Sequence, residues 1–259
     1  MEKITARGNE KIKYAVSLAR SSSKRRESGE FFLEGARLCA DAAESGVCVV
    51  TAFFTAAALE TYSSYISKIT AVCSSCYEVG SDAAARLSDT DSSQGVFCVC
   101  KAADFSPSLD LSGRYIALEN VQDPSNLGAV CRTAEALGLG LIVSGGCDIY
   151  NPKALRAAMG SSLRLGIITV EDLPSFISDA RGKGMLTLAS TPRSDACVLG
   201  SFPVGSGVIC VVGNEGNGVT EKTMLACERA VTIPMAGRAE SLNASAAAAI
   251  LMWEIARKD

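Results

Sequence analysis

Apolar residues near the start of the chain recur at intervals of three or four (Ile12, Val16, Ala19), which predicts a helix running to Arg20. The stretch from Ser21 to Gly29 is polar and basic, carries Lys24, Arg25 and Arg26, and reads as an exposed loop. Phe31-Phe32-Leu33 is a short strand, Gly35 to Glu44 a helix ending at Gly46, and Val47 to Phe54 is β-rich. An Ala-rich helical region follows, then a strand at Tyr77–Val79, a short helix at Asp82–Leu87 and a strand at Val96–Cys100. Alternation of this kind predicts a small α/β domain over residues 1–103. Residues 104–113, with Pro107 and several Ser and Asp, look like a linker.

From residue 114 to 259 the pattern restarts. Buried strands are expected at Tyr115–Leu118, Leu139–Val143, Leu165–Val170, Met185–Ala189 and Val208–Val212. Between the first two lies a polar loop from Glu119 to Gly128, then a helix to Leu137 stopped by Gly138, with Asn126 as its candidate cap. Pro152–Gly160 is a helix with Asn151 as cap, and the chain ends in an Ala-rich helix from Ser241 onward. Short apolar strands alternating with helices predict a mostly parallel sheet covered on both faces.

Composition narrows the chemistry. Hydrophobic residues make up 48% of the 259, but aromatics only 6%, so cores of small and β-branched side chains are expected. The net charge of −3 announces no nucleic-acid binder, yet residues 1–37 hold nine Lys or Arg against five Glu, enough for a local basic patch. Eleven cysteines are read as reduced and mostly buried, in a cytoplasmic setting, because no secretory leader is visible and the count is odd. No metal site is expected: only Cys73 and Cys76 have knuckle spacing, and there is no histidine to complete a set. No apolar run approaches the ~20 residues of a membrane span. The missing histidine also removes Ser–His–Asp and Cys–His catalysis, leaving Asp, Glu, Lys, Tyr, Cys or an unusual Arg for proton removal.

Three polar segments follow predicted strands, on the edge of an open α/β sheet where ligands bind. Asn120 to Arg132 begins with the turn signal Asp123-Pro124 and places Asn126 beside a helix that carries Arg132 about two turns in. If Asn126 sits in the loop, Arg132 can reach back toward it, and its guanidinium suits an RNA phosphate. Taken alone, the pair is equally a helix cap and a surface arginine. Gly213-Asn214-Glu215-Gly216-Asn217-Gly218 has the wrong spacing for a dinucleotide fingerprint, but its glycines allow backbone to approach a flat ligand closely. Glu215 is a carboxylate for ligand hydroxyls or a neighbouring arginine, or simply a solvated loop charge. In the third segment, Ile233-Pro234-Met235 leads to Ser241, Leu242 and Asn243 at the start of the last helix, where free backbone N–H groups could meet a ligand or be capped.

In order and spacing, Asn-x-Gly-x-x-x-Arg, Gly-Asn-Glu-Gly-x-Gly and Ile-Pro-Met-x-Gly-x-x-x-Ser-Leu-Asn-x-Ser resemble the motifs of the SpoU, or TrmH-like, branch of the SPOUT RNA methyltransferases. Lys24 through Gly35 is similar, over a shorter and less specific stretch, to the opening of that family's L30e-like RNA-binding domain. The resemblance implies a C-terminal trefoil-knotted α/β domain, a homodimer with the active site at the subunit interface, and S-adenosylmethionine as methyl donor to a ribose 2′-hydroxyl. It implies cofactor contacts from Gly213, Gly218, Ile233, Met235 and Leu242. It assigns catalytic or orienting roles to Arg132, Asn126, Glu215, Ser241 and Asn243. Lys24, Arg25 and Arg26 are expected to touch RNA phosphates. Ribosomal RNA is the preferred substrate and transfer RNA the alternative. Three other readings are a non-catalytic ribosome-assembly protein of the same fold, a nucleotide-dependent enzyme on a Rossmann sheet, disfavoured by glycine spacing, and methylation of a protein or small molecule, disfavoured by the basic first domain.

Overall fold

A computed structural model describes residues 1–102, 107–193 and 195–257. The described residues fall into two compact units, one from Met1–Phe105 with Asp148–Leu163, the other from Ser106–Cys147 with Arg164–Asp259. Of the expected linker, residues 104–106 lie outside the described residues. The rest is a turn in which Gly113 donates to the carbonyl of Asp110 (2.9 Å) and the Asp110 N–H donates to the Tyr115 hydroxyl (2.9 Å).

Among the described residues the first unit has five strands: β1 (Glu2–Ile4), β2 (Glu30–Glu34), β3 (Val49–Thr55), β4 (Cys76–Val79) and β5 (Val96–Lys101), in the order β1-β4-β3-β5-β2. The β1–β4–β3 pairs are parallel, and β5 runs antiparallel to both β3 and β2. Period-2 alternation divides its aromatics between two faces. Phe32, Phe53 and Phe97 pack with Ile12, Leu18 and Leu87 from helices 10–20 and 81–87. Phe31, Phe54, Cys98 and Cys100 pack with residues of helices 36–44 and 63–72. The low overall aromatic content thus conceals a phenylalanine-rich core in this unit.

Three features depart from the sequence expectation, the first being β1 (Glu2–Ile4), formed where no strand was expected. The stretch read as a basic loop is a helix, Ser22–Ser28, capped by the Ser21 side chain and closed by Gly29 in the left-handed region (φ 65°). The segment 148–163, expected to belong wholly to the second domain, is built into the first unit. Tyr150 stacks on Phe31 with ring centroids 4.5 Å apart, and Leu155 from helix 152–158 is buried in the same core. Sequence adjacency carries no sign of this excursion; the aromatic stack and buried leucine provide its physical reason.

In the second unit, among the described residues, the sheet has the order β10-β12-β9-β11-β6-β7-β8 with every pair parallel. Its strands are β6 (Arg114–Glu119), β7 (Gly140–Ser144), β8 (Ile167–Thr169), β9 (Leu186–Ser190), β10 (Cys197–Val198), β11 (Val208–Val212) and β12 (Arg229–Thr232). Every residue of β11 is buried, as a central parallel strand requires. Helices 173–182 and 221–226 contribute to the core with Ile142, Ile209 and Val211. Helices 124–137 and 244–256 pack on each other, and the latter also contacts β6 and β11. The parallel sheet matches expectation, whereas β12, four residues just before Pro234, and β10 were not anticipated. No described helix is long and apolar enough to cross a membrane.

Candidate active site

The C-terminal ends of β6, β11 and β12 deliver the three polar segments to one edge of the second sheet. After β6 the chain turns through Asn120 in the left-handed region (φ 55°) and enters helix 124–137. Asp123, not Asn126, caps that helix: its side chain accepts from Ser125 N–H (2.8 Å), with Pro124 in the first turn. Asn126 is therefore inside the first turn, where it is buried.

That position makes Asn126 the centre of the site. Its Nδ2 donates to Glu215 Oε1 (2.9 Å), and its Oδ1 accepts from Asn243 Nδ2 (3.0 Å). Glu215 also accepts from the backbone N–H groups of Gln122 (3.1 Å) and Asp123 (3.2 Å), so both carboxylate oxygens are engaged. Burial opposes its ionisation, but the bonds from Asn126 and from backbone N–H groups outweigh that and hold its pKa below the ordinary glutamate value. The carboxylate expected to wait for a ligand or an arginine instead clamps the second loop to the first. Asn243 also caps helix 244–256, accepting from Ser245 N–H (2.9 Å) and Ala246 N–H (3.3 Å). One asparagine, one carboxylate and one helix cap thus join all three segments.

The second loop is shaped by glycine. Asn214 and Gly218 exchange backbone hydrogen bonds (2.9 and 3.1 Å) across its neck, with Gly218 at φ +67°. A Cβ on Gly213 would stand 2.0 Å from the Gly218 carbonyl carbon, so only glycine fits there. A buried carboxylate secures the far end: Glu119 accepts from Thr220 N–H (2.8 Å), Thr220 Oγ1 (2.7 Å) and Thr223 Oγ1 (2.5 Å). Sequence reading missed this lock; its signal was a charged residue closing an otherwise apolar strand, with two threonines three apart beyond the loop.

The third segment is different. Ile233 and Met235 are half-buried just past β12, and Ser241 and Leu242 are exposed. Among the described residues, no backbone group from Pro234 to Leu242 is hydrogen-bonded within the chain. Free N–H and C=O groups at the mouth of a parallel sheet can pair with the edge of a planar heterocycle, and Gly213, Gly216 and Gly218 present bare backbone in the loop joined to them through Asn126. This donor set fits the adenosine part of S-adenosylmethionine.

Arg132 does not join the cluster. Six residues beyond Asn126 on one helix, it lies about 9 Å farther along the axis and about 120° around it. It is exposed, and its side chain makes no hydrogen bond or ion pair among the described residues. The expectation that it reaches back to Asn126 depended on Asn126 being outside the helix, and the Asp123 cap removes that condition. Its neighbour Cys131 is no candidate base, because burial raises the thiol to about 12. In the first unit Arg25 is buried: Nε donates to Asp148 (2.7 Å) and Nη1 to the carbonyls of Leu18 (2.5 Å) and Ala19 (3.3 Å). Its expected exposure is thereby corrected. Lys24 pairs with Glu27 at 3.1 Å, and Arg26 is exposed.

Residues 113–253 match the SpoU rRNA Methylase family, and residues 9–98 match the MRM3-like substrate binding domain. The chain belongs to the SpoU rRNA methylase family. Among similar proteins is the 23S rRNA (guanosine(2553)-2′-O)-methyltransferase RlmP of Bacillus subtilis, 31% identical over 182 residues, 70% of this chain and 72% of that one. An AdoMet-bound rRNA methyltransferase from Sinorhizobium meliloti superposes with a TM-score of 0.85 at 26% identity, covering 98% of this chain and 97% of that chain. The SpoU methyltransferase AviRb from Streptomyces viridochromogenes, in complex with AdoMet, gives 0.82 at 26% identity, covering 96% and 97%. In this SpoU protein the cofactor is S-adenosylmethionine, and the three joined loops all lie within the matched residues 113–253.

Proposed function

We propose that the protein methylates a ribose 2′-hydroxyl of ribosomal RNA, with S-adenosylmethionine as donor and a homodimer as the active form. The reaction class follows from the family; the substrate preference rests on the rRNA enzymes among its relatives. The observation that carries the reading is the chain Glu215–Asn126–Asn243, which ties three remote loops into one site. When bound, the cofactor supplies a methyl group on a sulfonium, already activated for transfer. The protein's part is then alignment. Backbone groups of 213–218 and 234–242 bind the donor, and the clamped Asn126 holds the loops in register. The unpaired Arg132 grips an RNA phosphate beside the target sugar. A guanidinium keeps its proton at neutral pH, so this role is electrostatic and positional.

The dimer is supported by helix 244–256, which buries Leu251, Met252 and Ile255 yet leaves Ile250 (42%) and Trp253 (61%) exposed. An apolar outer face of this kind suits a second copy, which could also bring its own groups to the Arg132 side. The knotted path belongs to the same reading; its support is the return of the chain from β12, beyond β9, to the helix packed beside 124–137. Eleven free cysteines support a reducing, cytoplasmic location. Mapping 2′-O-methyl sites in RNA from cells with and without the gene tests the assignment. One ribosomal site should vanish in the deletion; loss from transfer RNA would move the substrate, and no loss anywhere would sink the reading.

A further inference from the structure

The first unit contains a cavity of about 340 Å³ between the end of β3, helix 56–61, helix 81–87 and the loop 88–95. Its volume is within the ordinary range for small-ligand sites, about 300–1,000 Å³. The lining is uncharged: Ala58, Ala84 and Ala85 supply apolar surface, Tyr62 a ring, and Ser93 and Gln94 polar groups.

The walls are fixed without any ligand. The buried Glu34 carboxylate accepts from Ser88 Oγ (2.9 Å), Asp89 N–H (3.0 Å) and Thr90 Oγ1 (2.8 Å). Arg156 Nη2 holds Asp89 from the other side at 3.0 Å. Gly95, at φ +69°, lies so close to Thr55 that a Cβ would fall 2.2 Å from its hydroxyl. Gln94 Oε1 accepts from Ala36 N–H at 2.8 Å, which orients this exposed amide, and among the described residues its Nε2 protons have no partner. An oriented amide donor, a ring and an apolar floor form the combination that recognises a splayed base.

A second cavity, about 480 Å³, shares Ala85, Ser88 and Ser93 with the first and carries Asp89 and Asp91. Arg156 neutralises Asp89, so Asp91 is the carboxylate that disfavours a phosphodiester there, and an RNA strand presents a base to this surface rather than its backbone. Resting on the RNA-methyltransferase reading above, we infer that the Tyr62–Gln94 cavity takes one unpaired nucleobase of the substrate RNA, outside the methylated nucleotide.

The test uses the full chain and ribosomal RNA transcribed with 4-thiouridine. Two variants probe the cavity: Ala85→Trp, at an exposed position where the ring fills it, and Gln94→Ala. Both should weaken RNA binding about tenfold, the scale of one lost base contact. S-adenosylmethionine affinity should stay unchanged, and wild-type crosslinks should map to Tyr62 or residues 85–95. Wild-type binding with unchanged affinity in both variants, or crosslinks confined elsewhere, overturns the inference alone. Failure of the wild-type chain to bind RNA overturns it together with the functional reading.

Discussion

The two units use the same device to different ends. Each has a buried glutamate at the end of a strand that accepts three hydrogen bonds from a distant segment: Glu34 of β2 holds 88–90, and Glu119 of β6 holds Thr220 and Thr223. In the first unit that lock fixes the wall of a cavity. In the second it secures one side of a site whose other side, 234–242, has no backbone hydrogen bond of its own among the described residues. A buried, fully bonded carboxylate is costly to disturb, so it makes a rigid anchor. Free backbone is left where a ligand must complete the structure. One unit is built as a rigid reader, the other as a site finished by its cofactor.

The largest effect should come from cutting the buried Arg25–Asp148 ion pair of the first unit while leaving the second alone. Asp148→Ala strands the Arg25 guanidinium, whose side chain is 5% exposed, without its partner. Loss of about 3–5 kcal/mol is expected in urea denaturation, with unaltered S-adenosylmethionine affinity in the folded fraction. A change below 1 kcal/mol would make the pair incidental. Next, Arg132→Ala should lower kcat by about 10²–10³ while calorimetry still detects the cofactor. Normal turnover would remove Arg132 from the reaction. Gly213→Ala forces a Cβ into the Gly218 backbone and should destabilise the second unit by about 1–3 kcal/mol, with cofactor affinity falling alongside. Unchanged affinity would show that the loop neck is not needed.

A smaller effect concerns pH. The folded-state pKa of Glu215 lies below its ordinary value, so its contribution is complete above the unfolded pKa and disappears as pH falls through the folded one. Cofactor affinity should therefore stay level from neutral pH down past the usual carboxylate range and drop only beneath it. Glu215→Gln should lose that acid limb; its persistence in the variant would assign it to another group. The smallest effect is electrostatic: replacing Lys24 and Arg26 by Ala should reduce the salt slope of RNA binding by about 2 in total. An unchanged slope would leave both side chains to solvent.

Much of this architecture was legible because its signals are local. The glycines at 213, 216 and 218, the Asp123-Pro124 turn and the apolar β11 each carry their structure in neighbouring residues. What escaped depended on distance or on a contest between equals. Asp123 and Asn126 can both cap a helix; the Asp123–Ser125 bond shows that Asp123 does, which leaves Asn126 to bond Glu215 and Asn243. Helix 22–28 has no apolar periodicity, since Arg25 is buried by pairing with a residue 123 positions away. The excursion of 148–163 into the first unit and the placement of β12 between β10 and β9 are likewise long-range facts. The site loops could be named from sequence, but the role of Glu215 as a clamp could not.

Transfer of a tritiated methyl group from S-adenosylmethionine to ribosomal RNA, followed by alkaline hydrolysis, tests the account most directly. Alkaline cleavage needs a free 2′-hydroxyl, so the account predicts label in alkali-resistant dinucleotides, at a level sharply reduced by Arg132→Ala. Label released in mononucleotides would place the methyl on a base and contradict it.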